Sequence, residues 1–175
     1  MTSLADGHNF PRVLLGILSD THSAGEAASA AVSLLRTAGA AYLIHCGDVG
    51  SESVLDALAG DPPAAFVWGN NDYDRAALGR YAKSLGVRCL DTFGELDLAG
   101  KRIAVTHGDD TRLVRRVLDA QQHDYLLVGH SHVPSDTRVG RVRIINPGAL
   151  YRAREKTVAL LDLATDELRS IVVRC

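Results

Sequence analysis

Short apolar runs rich in Leu, Ile, Val and Ala recur along the first part of the chain, and the segments between them have helical periodicity. This pattern predicts buried strands over residues 12–18, 42–46 and 64–68. It predicts helices over residues 24–38 and 51–59, the second of them capped by Ser51. The order strand, helix, strand, helix, strand indicates parallel strands joined by right-handed crossovers.

The pattern changes after residue 90, where paired strand-like runs flank turn residues. Hairpins are predicted over residues 95–106, 137–145 and 157–173, with a further buried strand over residues 125–128. A helix is predicted over residues 111–120, with Asp110 or Thr111 as its cap. An α/β half followed by a β-rich half predicts a mixed α/β (α+β-like) fold, a two-sheet β-sandwich flanked by helices.

The composition narrows the class of protein. Of 175 residues, 46% are apolar and 23% are charged, so we expect one folded domain over residues 12–175 behind a flexible leader over residues 1–11. The net charge of −2 argues against a protein that coats nucleic acid. The three cysteines form no CxxC pair, and no apolar run is long enough to span a membrane. We therefore expect a soluble, cytoplasmic protein without a disulfide framework.

Polar side chains with metal-binding potential follow several of the predicted strands. Because the carboxyl ends of parallel strands meet at one edge of a sheet, we expect these side chains to converge. They include four histidines but no cysteine, a ligand set that suits Mn, Fe, Co, Ni or Zn ions. Seven ligands are too many for one ion and suit two ions that share a bridging ligand. The seven candidates are Asp20, His22, Asp48, Asn70, His107, His130 and His132.

The motifs D-x-H, G-D, G-N-x-D, H-G and G-H-x-H occur in this order between residues 20 and 132. Together they resemble the calcineurin-like metallophosphoesterase superfamily, and in particular its small bacterial and archaeal phosphodiesterase branch. The segment Asn146-Pro147-Gly148 matches a further signature of the family. The same fold underlies the retromer scaffold subunit, and it agrees with the two-sheet prediction made from the pattern.

The resemblance implies a division of the candidate ligands between two ions. Asp48 would bridge both ions, and Mn²⁺ is the metal that the resemblance favours, with Ni²⁺, Co²⁺, Fe²⁺ and Zn²⁺ as alternatives. The reaction implied is attack on a phosphate ester by a hydroxide that bridges the ions, and two divalent ions, two carboxylates and one hydroxide leave a net charge of +1 to attract the phosphate. One ion would be held by Asp20, His22, Asp48 and His132, the other by Asp48, Asn70, His107 and His130.

Asn71 departs from the pattern of many relatives, which carry a histidine after the metal-binding asparagine. That histidine contacts the phosphate or protonates the leaving oxygen, whereas an asparagine amide donates a hydrogen bond and is no acid at neutral pH. We therefore expect esters with good leaving groups to be preferred. The catalytic candidates are Asp48, Asn70, Asn71 and His130.

The sequence leaves other functions of this site open. The same site could serve a phosphomonoesterase or pyrophosphatase, or the metal could stabilise a binding scaffold without turnover. The expected partner is a small phosphate ester or phosphodiester, with no stable nucleic-acid complex, no membrane and a possible homo-oligomer. His45 is expected in the core and His123 at the surface, while two arginine clusters are either solvated or contact substrate phosphates. The clusters comprise Arg112, Arg115 and Arg116, and Arg152 and Arg154.

Overall fold

The computed structural model describes residues 12–174, so the predicted leader over residues 1–11 lies outside the described part. Strands and helices alternate up to the third helix, and strands dominate after it. The strands are β1 Leu14–Leu18, β2 Tyr42–His45, β3 Ala64–Phe66, β4 Arg88–Cys89, β5 Phe93–Leu98, β6 Lys101–Thr106, β7 Tyr125–Leu127, β8 Ser135–Val139, β9 Val142–Asn146, β10 Thr157–Asp162 and β11 Leu168–Val172. The helices are α1 Gly25–Thr37, α2 Glu52–Leu58, α3 Arg75–Ser84 and α4 Thr111–Ala120.

The strands form two mixed sheets. The first has the order β11-β10-β1-β2-β3-β4, and β1, β2 and β3 are parallel to one another, as the alternation of strands and helices predicted. β4 is parallel to β3, whereas β10 is antiparallel to both β1 and β11. The second has the order β5-β6-β7-β9-β8, with β6, β7 and β9 parallel and an antiparallel strand at each edge. The mixed two-sheet fold predicted from the sequence is confirmed.

An apolar layer fills the space between the two sheets. Leu15, Ile17 and Ile44 of the first sheet pack in one cluster with Ile103 and Leu127 of the second, and all five are fully buried. Because side chains alternate along a strand, the residues between them face the opposite side of each sheet. The first sheet is covered there by α1, α2 and α3, and the second by α4. The order of layers is therefore helices, sheet, sheet, helix.

The sequence analysis missed α3 and β4. α3 contains a glycine, Gly79, and buries only Leu78 and Ala82, so its apolar face is narrow and its periodicity weak. β4 has only two residues, both exposed, so it leaves no pattern of burial in the sequence. None of the helices within residues 12–174 is both long and apolar enough to cross a membrane.

The two predicted helix caps differ in the structure. Asp110 caps α4, because its Oδ1 accepts hydrogen bonds at 3.0 Å from the backbone N–H groups of Arg112 and Leu113. Ser51 occupies the cap position of α2, but its side chain makes no capping hydrogen bond. Its hydroxyl lies 2.9 Å from that of Ser53 instead. The prediction that the Ser51 side chain caps α2 is therefore wrong.

We expect Asp110→Ala to lower the free energy of unfolding by about 1 kcal/mol, because two backbone N–H groups lose their acceptor. Ser51→Ala is the matched control and should change it by less than about 0.5 kcal/mol. Urea denaturation of both variants measures the difference. Equal losses in the two variants would contradict the assignment of the caps.

Candidate metal centre

The carboxyl ends of strands from both sheets meet at one edge of the sandwich. Asp20 and His22 follow β1, and Asp48 follows β2, so the first sheet supplies both carboxylates. His107 follows β6 and His132 follows β7, so the second sheet supplies two imidazoles. The five side chains come together although 112 positions separate the first from the last.

Two groups of potential ligand atoms lie within this cluster, each with its atoms within 4.8 Å of one another. One group consists of Asp20, His22 and His132, and the distance from Asp20 Oδ1 to His132 Nε2 is 3.2 Å. The other consists of Asp20, Asp48 and His107, and the distance from Asp48 Oδ2 to His107 Nε2 is 3.3 Å. His22 Nε2 lies 3.4 Å from Asp48 Oδ2, so the two groups adjoin.

Two ligand atoms in the cluster, Asp20 Oδ1 and His107 Nε2, are buried and have no hydrogen-bond partner. The second oxygen of Asp20 accepts from Ser19 Oγ at 2.6 Å and from the His130 backbone N–H at 3.0 Å. His107 Nδ1 lies 2.8 Å from the Cys46 carbonyl oxygen, to which it donates. Asp20 and His107 are thus each held by hydrogen bonds at one polar atom, and the other polar atom has a free lone pair. A cation bound between these two atoms would satisfy both lone pairs. The residues present fit a divalent metal ion.

Burial raises the pKa of Asp48, but His107 and two N–H groups of Asn71 outweigh it and hold the pKa well below its usual range. The backbone N–H and the side-chain Nδ2 of Asn71 each donate to Asp48 at 2.9 Å. Burial lowers the pKa of His107, and the Asp48 carboxylate and the Cys46 carbonyl outweigh that effect and raise it. The carboxylate is therefore ionised at neutral pH and available to a cation.

Five of the predicted ligands have left-handed backbone conformations, which non-glycine residues rarely adopt. Such strain persists where the surrounding structure fixes it, and it is concentrated at functional sites. Here the backbone N–H groups of Asp20 and His22 donate to the carbonyls of Gly47 and Asp48, at 3.1 and 2.9 Å. The φ angles are 53° at Asp20, 42° at His22, 57° at Asp48, 67° at His130 and 58° at His132.

His45 connects the two loops that carry the carboxylates. Its ring is fully buried, and the Gly47 N–H donates to its Nδ1 at 3.2 Å. The proton is therefore on Nε2, which donates to Thr21 Oγ1 at 3.0 Å. Thr21 Oγ1 in turn donates to the backbone carbonyl oxygens of Asp48 and Val49, both at 3.1 Å. The neutral ring thus ties the loop after β1 to the loop after β2.

The loop after β3 is held against Asp48 by a second buried group. Asp72 accepts from the backbone N–H groups of Gly50 and Gly69, each at 2.8 Å. Burial raises the pKa of Asp72, although these N–H groups lower it. At Gly69 a Cβ atom would lie 2.1 Å from Asp48 Oδ1, so glycine allows the backbone to approach the carboxylate. The G-N-x-D motif therefore supports Asp48 through its first and last residues.

The remaining site candidates lie at the edge of the cluster. His130 is exposed, and its ring contacts that of His107 edge-on with the centroids 5.1 Å apart. Asn70 is also exposed, and within the described residues its side chain makes no hydrogen bond to the cluster. The division of ligands between two ions, with Asp48 as the bridge, stays a prediction. In the structure Asp20 belongs to both groups of ligand atoms.

The structure also tests the positions predicted for His45 and His123, and it reveals a tyrosine beside the cluster that the sequence pattern did not predict. His45 is in the core as predicted, whereas the prediction of a surface position for His123 is wrong. His123 is 4% exposed, and the ring tolerates burial because its Nε2 lies 2.5 Å from Oε1 of Glu95, an exposed carboxylate that gives it a polar partner. Sequence reasoning did not find Tyr151, whose ring lies 5.2 Å from that of His22. Its position shortly after the Asn146-Pro147-Gly148 segment was the available signal.

Comparison with known proteins decides the family. Residues 13–166 match the model of the calcineurin-like phosphoesterase superfamily domain, which covers most of the chain. The chain belongs to the calcineurin-like phosphoesterase superfamily. A phosphodiesterase of Methanocaldococcus jannaschii is 27% identical to this phosphoesterase over 163 residues, which are 91% of this chain and 98% of the relative.

Solved structures of relatives agree with the family. A structure of an archaeal phosphodiesterase has a TM-score of 0.85 at 27% identity, over 91% of this phosphoesterase and 99% of that chain. Vacuolar protein sorting 29 of Cryptosporidium parvum has a TM-score of 0.61 at 18% identity, over 92% and 96% of the two chains. The second likeness shows the fold alone. The fold is thus shared by an enzyme and by a protein of vacuolar sorting.

The buried His45 predicts how stability depends on pH. Burial and the neighbouring His107 lower the pKa of His45 to about 3, so the folded protein keeps the ring neutral where the unfolded chain protonates it. Stability from His45 is therefore complete above pH 6.5 and is lost as the pH falls below this value, by about 1.4 kcal/mol per pH unit.

We expect His45→Gln, which does not titrate, to remove this contribution. Urea denaturation between pH 7.5 and 4.5 with chelator present measures the free energy of unfolding of both proteins. The difference between wild type and variant should shrink as the pH falls below about 6.5. Parallel pH profiles would show that His45 is not kept neutral in the folded protein.

Proposed function

We propose that this chain is a dinuclear, metal-dependent phosphodiesterase, with Mn²⁺ as its preferred ion. The observation that carries the proposal is the pair of buried, partnerless ligand atoms, Asp20 Oδ1 and His107 Nε2, within a cluster of two carboxylates and three imidazoles. Membership of the phosphoesterase superfamily and the likeness to phosphodiesterases at 27% identity support the reaction class. We place the enzyme in the cytoplasm.

In this proposal each predicted ligand keeps the role given by the family pattern. Asp20, His22, Asp48 and His132 would hold one ion, and Asp48, Asn70, His107 and His130 would hold the other. Bound divalent ions lower the pKa of water to near neutrality and neutralise charge that develops on the phosphate oxygens. Because the ions outweigh the two carboxylates in charge, the site attracts an anionic ester.

The chain's own contribution is to hold the ligands in place before any ion or ester arrives. The Cys46 carbonyl fixes the ring orientation of His107, and Ser19 fixes the carboxylate of Asp20. Asn71 keeps Asp48 ionised through two hydrogen bonds. Such preorganised ligands do not have to rearrange during the reaction, which is how a protein lowers the barrier of an electrostatically stabilised step.

In the proposed function, the preferred substrate is a diester with a good leaving group. The Asn71 amide donates to Asp48, and an amide has no acidic proton to give to a leaving oxygen. The leaving group must therefore depart as an anion, which favours aryl over simple alkyl esters. The net charge of −2 over the whole chain favours a small ester over a long nucleic acid.

Hydrolysis of bis(p-nitrophenyl) phosphate by chelator-stripped protein tests the function. We expect no turnover without metal, restored turnover with Mn²⁺, and a loss of at least about 1,000-fold in Asp48→Ala, because both predicted ions lose a ligand. Asp119→Ala, an exposed carboxylate on α4, is the matched control. Absence of turnover with Mn²⁺, Ni²⁺, Co²⁺ and Zn²⁺, with folded protein and bound metal, would favour a metal-stabilised scaffold instead.

The role of Asn71 is tested with Asn71→His and two esters of thymidine 5′-phosphate, one aryl and one alkyl. We expect the variant to gain at least about 10-fold more on the alkyl ester, because a histidine can protonate the poor leaving group. Asn71→Gln keeps an amide and is the control. An unchanged ratio of aryl to alkyl hydrolysis in Asn71→His would contradict the leaving-group hypothesis.

A further inference from the structure

A pocket of about 360 Å³ opens directly beside the candidate metal centre. His132 lines this pocket, and the same side chain lies 3.2 Å from Asp20 in the cluster. Arg152, Arg154 and Glu155 supply the charged groups of the lining, and we call this space the arginine pocket. A substrate bound at the cluster can therefore extend past His132 into the arginine pocket.

The segment that carries Arg152 is attached to the candidate metal centre by several contacts. The Leu150 N–H donates to the Asp20 carbonyl at 3.3 Å, and the Tyr151 ring contacts that of His22. The Arg152 guanidinium lies over the Tyr151 ring, 5.1 Å from its centroid. One aromatic ring thus separates this guanidinium from a predicted metal ligand. The backbone of Arg152 is left-handed, with φ 48°, so the turn presents its side chain at a defined point.

The charge of the arginine pocket is available to a ligand. Within residues 12–174, neither Arg152 nor Arg154 forms an ion pair with a carboxylate. By contrast, Arg141 is paired with Asp124 at 2.9 Å on another face of the protein. Among residues 12–174, Glu155 is the one carboxylate that lines the arginine pocket, so this lining keeps a net charge of +1. Guanidinium groups match the geometry of phosphate oxygens, to which they donate two parallel hydrogen bonds.

The arginine pocket also has apolar walls. Val133 is 61% exposed and lines it together with Pro134. An exposed branched side chain next to two arginines fits a ligand that carries its charge on a carbon framework, such as a sugar phosphate. A small inorganic anion would leave this apolar surface in water.

From these contacts we propose that the arginine pocket binds a second phosphate group of the substrate, on the part of the diester that is not the leaving group. This inference rests on the proposed phosphodiesterase function and adds the substrate class: a sugar-phosphate diester with a further phosphate. Arg152 and Arg154 contact that second phosphate. Glu155 weakens its binding and keeps the product exchangeable.

The experiment uses full-length, Mn²⁺-loaded protein and two substrates with the same scissile bond. They are thymidine 5′-(p-nitrophenyl phosphate) and the same compound with a 3′-phosphate. We expect kcat/KM for the phosphorylated compound to be at least about 10-fold higher, chiefly through a lower KM, because charge-assisted hydrogen bonds to its phosphate form on binding.

Variants of the three charged residues show how each one affects the preference for the phosphorylated compound. Arg154→Gln should lower the preference for the phosphorylated compound about 10-fold, and Arg152→Gln should lower it as well. Glu155→Gln should raise the preference, because it removes the opposing charge. Arg80→Gln, which replaces an exposed arginine on α3, is the matched control. No preference in wild type, or a preference that all these variants share, would overturn the proposal.

A binding measurement separates failure of this proposal from failure of the proposed function. Calorimetry compares thymidine 3′,5′-bisphosphate with thymidine 5′-phosphate on Mn²⁺-loaded protein. Tighter binding of the bisphosphate that Arg154→Gln abolishes supports the arginine pocket even if bis(p-nitrophenyl) phosphate is not hydrolysed. Turnover of bis(p-nitrophenyl) phosphate with equal affinity for both nucleotides would overturn the arginine pocket and leave the phosphodiesterase function intact.

Discussion

The rest of the structure depends on one constraint: carboxylate oxygens and imidazole nitrogens lie close together at one edge of the sandwich. Asp20 and Asp48 bring carboxylate oxygens to within 3.2–3.9 Å of imidazole nitrogens of His22, His107 and His132. A buried oxygen and a buried nitrogen in this space have no partner of their own. Buried polar atoms without partners are costly, so the surrounding chain must hold the cluster together against that cost.

The supporting chain does so with short, buried hydrogen bonds between loops. His45 and Thr21 join the loops after β1 and β2, and Asp72 joins the loops after β2 and β3. These residues contact no phosphate in the proposed reaction, yet they decide where the carboxylates stand. The local cost of left-handed backbone at the ligands is offset by this network.

The sequence predicted those parts of the molecule that have strong local patterns. The alternation of apolar strands and helices predicted the parallel half, because burial on both faces produces continuous apolar runs. The ordered D-x-H to G-H-x-H motifs located the five clustered side chains, since ligands recur at strand ends. The sequence pattern did not predict α3, whose apolar face is narrow, or the burial of His123, because neither leaves a periodic signal. It also did not identify Tyr151, which contacts His22 although the two residues are far apart in the chain.

The candidate centre draws its carboxylates from one sheet and two of its imidazoles from the other, and this division has a mechanical consequence. The apolar layer that contains Ile17 and Leu127 acts as a spacer, and its thickness sets the gap between the two sets of ligands. Packed cores transmit a change in volume to their surroundings rather than absorb it. The width of this hydrocarbon layer is therefore a dimension of the candidate centre itself, although its side chains belong to neither group of ligand atoms.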